Sequence, residues 1–292
     1  MRQRYWLWLL LSALTFLSAC SPPRPDHPVI GAKNFTEQVI LGELLAQEIE
    51  AKSNLKVERR FYLAGSYICQ QALVSGRIDA YVEYTGTALT AVFHQPVTSD
   101  SSAVFDSVRA LYAKSGRTLL APLGFNNTFA ILVRGRDARS AGLRTIDDAA
   151  RESSHWRAGF GYEFVERPDG YRGLASAYGL RFPDPPRVMD LTLSYRALAA
   201  GQVDLIAGDA TAGLIKGLDL VQLDDNRRYF PPYDAAVVAR SGTLLRYPLV
   251  RSALERLSGR VSASDMRAMN YAADVEHRDI PLIVREFLAH VP

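Results

Sequence analysis

From Val29 onward, short apolar runs alternate with stretches in helical register, and the alternation occurs twice. In the first half, PVIGAKNF reads as a strand and turn. TEQVILGELLAQEIEAK then sets Val39, Ile40, Leu44, Leu45 and Ile49 at helical spacing, with Thr36 as its N-cap. LKVERRFYLA reads as a strand, SYICQQALVSG as a helix, IDAYVEY as a strand, and GTALTAVF opens the next helix. The second half repeats this grammar with TFAILVRG, TIDDAARES, RAGFGYEF, SYRALAAGQ and VDLIAGD. Such alternation predicts mostly parallel sheets with helices on both faces. A helix followed by SGRIDAYVEY parallels a helix followed by AGQVDLIAGD, so two similar α/β lobes are expected. The helical run from LVRSALERLSGR to the end packs back on one of them. Ligands of open α/β sheets gather at the carboxyl ends of strands. That rule brings the turns KNFTEQ, YTGT and GDAT to the edge of an interlobe cleft.

The N-terminus bears on compartment. Arg2 and Arg4 precede an apolar run from Tyr5 to about Leu17 and a small-residue site, the order of a secretory signal and too short for a comfortable membrane span. LSAC, ending at Cys20, has the form of a lipobox, and SPPRPDHP after it is a Pro-rich tether. The expected organisation is a signal peptide over 1–19, a lipidated tether over 20–28, a first lobe from 29–128 plus 233–292, and a second lobe from 129–232. With Cys20 lipidated, Cys69 stands alone and no intramolecular disulfide can form. Stability must then come from a hydrophobic core, which about 270 residues can build. The formal net charge of +3 becomes +1 once Arg2 and Arg4 leave with the signal. No basic block remains, which argues against nucleic acid as a partner. No further apolar run is long enough to span a bilayer, so any transport would need a separate membrane protein.

Catalytic patterns do not emerge. His27, His94, His155, His277 and His290 lack metal-ligand spacing, and no nucleophile elbow or phosphate loop is present. Cys69 lies in a helix-like run and reads as a small buried hydrophobe. The chain is expected to be no enzyme and to need neither cofactor nor metal. What stands out is fourteen tyrosines, several at turns. A quaternary ammonium offers no hydrogen bonds and is held by aromatic faces, each worth roughly 0.5–2 kcal/mol when desolvated. A carboxylate on the same ligand calls for cationic or N–H donors, to which the Arg fork is suited.

Six blocks in order, IGAKNFTEQVILGELLAQ, GRIDAYVEYTGTALTAV, GFNNTFAILVR, ERPDGYRGL, FPPYDAAVVAR and MNYAADVEHRDI, resemble the substrate-binding proteins of ABC importers for glycine betaine, choline, carnitine and related osmoprotectants. The resemblance runs over nearly the whole chain from Val29. It implies a two-lobed type II periplasmic-binding-protein fold of the α/β class, its ligand cleft lying between lobes joined by two crossover strands. It further implies a small zwitterionic or cationic solute and an ABC permease with its ATPase as partners. The receptor would be a monomer in the periplasm or on the outer face of the cell membrane, lipid-anchored at Cys20. Residue roles follow from the same resemblance. Lys33, Thr87 and Arg167 would hold a carboxylate. Tyr84, Phe129 and Tyr233 would wall an aromatic cage, and Asn127 lies near a position that is acidic in some members. Asp209, in GDATAG, stands where many members have a further cage aromatic. That departure supports an alternative, a receptor for a cationic amino acid or derivative.

Overall fold

The structure, a computed structural model, describes residues 26–290. The signal segment and the proposed lipidation at Cys20 lie outside the described residues. Two five-stranded sheets organise the chain. The first contains β1 (Val29–Gly31), β2 (Glu58–Arg60), β3 (Ala80–Tyr84), β4 (Arg117–Asn126) and β10 (Asp234–Arg240), in the order β2-β1-β3-β10-β4. The second contains β5 (Phe129–Arg134), β6 (Ala158–Gly161), β7 (Arg187–Met189), β8 (Leu205–Asp209) and β9 (Leu220–Leu223), in the order β7-β6-β8-β5-β9. The chain is α/β and two-lobed.

The expectation of mostly parallel sheets needs correction. β1 is parallel to β2 and β3, but β10 runs antiparallel to both β3 and β4. Likewise β6 is parallel to β7 and β8, while β5 is antiparallel to β8 and β9. The reason is connectivity. β5 follows the passage from the first sheet to the second, and β10 follows the return, so each enters its sheet from the opposite end to the locally wound strands. The two passages touch each other, the Asn127 N–H donating to the Tyr233 carbonyl at 3.0 Å.

Burial explains why the local patterns hold. All five residues of β3 are buried, as a strand covered on both faces requires. The helix Thr36–Ser53 packs Ile40, Leu41, Leu44, Leu45 and Ile49 into a core shared with Val250, Leu254, Met266, Met269, Ile283 and Val284. These partners belong to the helices Pro248–Arg256, Ala263–Asp274 and Ile280–His290, so the C-terminal helices do fold back on one lobe. Glu43 on the same helix is buried and paired with Arg59 at 2.8 Å, which offsets its desolvation. Thr36 is not the N-cap. Phe35 holds that position, and the Thr36 hydroxyl donates to Asp274 at 2.5 Å, tying the helix start to the end of helix Ala263–Asp274. Cys69 is fully buried, and burial pushes its thiol up to about 12, the behaviour of an inert core residue.

Candidate functional site

The carboxyl ends of β1, β3, β6 and β8 face one another across the gap between the sheets. At or just past them lie Lys33, Tyr84, Glu163 and Asp209, and all four line one cavity of about 340 Å³. Thr87, Asn127, Phe129, Arg167 and Tyr233 line it as well, so the fold brings all eight expected ligand-binding residues to one place. β5 and β8 pair in a register that sets Phe129 opposite Asp209, and β10 and β3 set Ala235 opposite Tyr84.

The cations of this cleft already have partners. Lys33 Nζ lies 2.5 Å from Glu83 Oε1, both side chains almost wholly buried. Arg167 grips Asp169 through Nε at 2.9 Å and Nη2 at 2.6 Å, and its Nη1 donates to the Thr87 hydroxyl at 2.8 Å. Burial works to raise Asp169, but the Arg167 fork outweighs it and holds the carboxyl below its usual range. The Tyr233 hydroxyl completes this cluster by donating to Asp169 at 2.6 Å. Protons remain: an ammonium has three donors and a guanidinium five. Lys33 and Arg167 can therefore still donate to a bound carboxylate without leaving their own partners.

Rings and cations are interleaved rather than segregated. The Arg167 guanidinium carbon lies 4.9 Å from the Phe129 ring centroid and 5.7 Å from that of Tyr233. Lys33 Nζ is 5.0 Å from the Tyr84 centroid. Phe129 also meets Phe164 edge-on at 4.8 Å and Tyr233 at 5.6 Å, so the aromatic wall is braced.

Behind the wall sits a carboxylate that sequence reasoning did not single out. Glu37, in the first turn of helix 36–53, is buried without an ion-pair partner among the described residues. Its Oε1 accepts from the Tyr84 hydroxyl at 2.6 Å and Asn127 Nδ2 at 2.9 Å. Its Oε2 accepts from the Thr211 hydroxyl and from Asn270 Nδ2 at 2.8 Å. Burial raises its pKa, and these four hydrogen bonds work against that shift. Asn127 thus lines the cleft with its amide committed to Glu37 on one side and to the Thr211 N–H on the other, at 3.4 Å. A second unforeseen residue is Glu163, whose Oε1 accepts the Ser66 N–H at 2.6 Å across the cleft. Neither could be picked out from spacing, because each acts through partners far away in the chain. Burial, then the Glu37 charge, push Asp209 up to about 7.

A family profile described as the substrate binding domain of ABC-type glycine betaine transport system matches residues 28–290. An ergothioneine transport permease/ergothioneine binding protein of Helicobacter pylori is 30% identical over 285 residues, 97% of this chain and 51% of its own length. The chain thus spans about half of that relative. A carnitine transport binding protein of Listeria monocytogenes is 31% identical over 290 residues, covering 96% of this chain and 93% of the relative. A crystal structure described as a glycine betaine/carnitine/choline ABC transporter superposes with a TM-score of 0.75 at 30% identity, covering 90% of this chain and 97% of the other.

Proposed function

The chain belongs to the family of substrate-binding domains of ABC-type glycine betaine transport systems, and from that membership we propose that it is an extracytoplasmic receptor for a quaternary ammonium solute. The solute is held between the lobes and delivered to a permease with its ATPase. Its permanent cation lies against the faces of Tyr84, Phe129 and Tyr233, and its carboxylate beside Lys33, Thr87 and Arg167. One observation carries the reading: three aromatic rings and two hydrogen-bonding cations converge on a single interlobe cleft. The groups come from both sheets, so a solute touching all of them favours the closed arrangement of the lobes. Export and lipid attachment at Cys20 fit the same role, as does action as a monomer without catalysis. A second reading, a receptor for a cationic amino acid or derivative, draws its support from Asp209, whose carboxylate lines the cleft.

Calorimetric titration of the mature chain tests this. The panel is glycine betaine, choline, carnitine, proline betaine and arginine, with ergothioneine added because a relative is named for it. Saturable binding of at least one quaternary amine, at micromolar or tighter Kd, is the expected result. Silence from every quaternary amine would remove the proposal.

A further inference from the structure

Among the carboxylates of the cleft, Asp209 is the exception. Glu83 has Lys33, Asp169 has Arg167 and Tyr233, Glu163 has Ser66, and Asp190 has the Thr192 N–H. The Asp209 side chain accepts no hydrogen bond and joins no ion pair among the described residues. Its position is nonetheless fixed, by β8–β5 pairing opposite Phe129 and by its own N–H donating to Tyr195 Oη at 2.7 Å. The carboxylate stands where the cleft opens into a recess of about 30 Å³, a volume on the scale of one water.

The chemistry of that recess is one-sided. Asp209, Glu37 and Asp274 all line it, and among the described residues no Lys, Arg or His does. Thr36 gives its hydrogen to Asp274, while the Thr192 and Tyr195 hydroxyls, which also line the recess, are the neutral donors on offer there. Asn270 also lines it, with a side chain that is 2% exposed. Its Nδ2 is committed to Glu37 and to the Thr211 carbonyl, which leaves Oδ1 as a buried acceptor with no donor among the described residues. Carboxylates therefore accumulate at this end of the cleft and cationic donors do not. A trimethylammonium head has no N–H to supply, and a carboxylate would be repelled.

We propose that the solute carries, besides its permanent cation and carboxylate, an N–H donor that points into this recess and is accepted by Asp209, which makes Asp209 the residue that selects among betaines. This rests on the cleft being the solute site of the preceding section. The class is a betaine built on an N–H-bearing side chain, such as a neutral imidazole or an amide. Small fully methylated solutes are the weaker binders. Burial of an acceptor is favourable only when a donor meets it, so a solute lacking the donor leaves a desolvated carboxylate behind. That asymmetry is the source of selectivity, since a site built to hydrogen-bond its ligand rejects analogues without the donor most strongly.

The test is titration calorimetry at pH 8, where an imidazole with pKa near 6.5 is neutral. The probes are histidine betaine, its Nτ-methyl analogue, whose neutral ring has no N–H, glycine betaine and arginine. Histidine betaine is expected to bind at least tenfold more tightly than the Nτ-methyl analogue. In Asp209→Leu, which keeps the bulk and removes the acceptor, that preference should collapse to within about twofold. Asp209→Ala, which leaves space for the extra methyl, serves as the second variant. A preference that survives in both variants overturns the proposal, as does equal binding of the two histidine derivatives to the wild-type chain. Arginine binding that depends on Asp209, with no betaine bound, would keep the N–H assignment and sink the quaternary ammonium reading instead. No binding of any probe rejects both.

Discussion

Asp209 is also where pH reaches the fold. Burial and the Glu37 charge hold its carboxyl near 7, against an ordinary value of 3.8, while Lys33 and Arg167 oppose the shift and Glu163 adds to it. Between those two values the folded chain keeps a proton that the unfolded chain has released. This contribution to stability is therefore complete below about pH 4 and is lost as pH rises through 7. Asp209→Asn removes the cost of the buried charge. The variant is expected to be about 1–3 kcal/mol more stable than wild type at pH 8, with the difference fading towards pH 4, as read by urea unfolding at pH 4, 6 and 8. An unchanged midpoint at pH 8 would mean that solvent already reaches the carboxylate. At this scale the sequence conveyed the residues that line the cleft but not the company they keep. Tyr84 and Lys33 stand out because strand-to-helix turns face a cleft in any such fold. Glu83, one position before Tyr84, could not be matched to Lys33, fifty residues earlier, without the parallel placement of β1 and β3.

Among the elements, the loop after β8 packs closely against the helix 263–274. A Cβ on Gly213 would stand 2.4 Å from the backbone nitrogen of Tyr271 in helix 263–274. Gly213→Ala must push loop and helix apart and is expected to destabilise by about 1–3 kcal/mol. Gly242→Ala, whose Cβ would meet nothing within 4 Å, should stay within about 0.5 kcal/mol of wild type. Equal melting temperatures for the two variants would show that this junction yields freely. Helix 36–53 and β3 were legible because their apolar pattern is local and long enough to register. β4 carries no clear strand pattern: Pro122 and Gly124 interrupt it, and its register with β10 shifts twice, features that weaken any strand signal. β7 is a three-residue strand at one end of its sheet and mostly exposed, with almost no pattern to read. RAGFGYEF reads as one strand, yet the chain turns at Gly161 and Tyr162–Glu166 is helical, which is how Glu163 comes to face Ser66.

For the whole molecule, the two-lobed plan was foreseeable from a repeated grammar, whereas the antiparallel β5 and β10 depend on where the chain crosses between sheets, which no local pattern encodes. The crossing region is also where Glu37 gathers donors from Asn127, Thr211 and Asn270, so one buried carboxylate is bonded to both halves of the fold. The pairing of Lys33 with Glu83 and of Arg167 with Asp169 has a consequence for the medium in which the protein works. Screening acts over a Debye length of about 10 Å at 0.1 M salt and about 3 Å at 1 M. Each of these cations is neutralised within 2.6 Å by its own carboxylate, inside either length. Lys33 and Arg167 therefore leave little long-range field for salt to erase, and under the proposed function they hold the solute by short-range hydrogen bonding and ring contact. Its Kd is expected to change by less than about threefold between 0.05 and 1 M NaCl, measured by calorimetry across that range, and a tenfold loss would contradict this. A receptor of the proposed kind has to keep hold of its solute as the water around it grows saltier, and cations neutralised from within would leave its grip little changed.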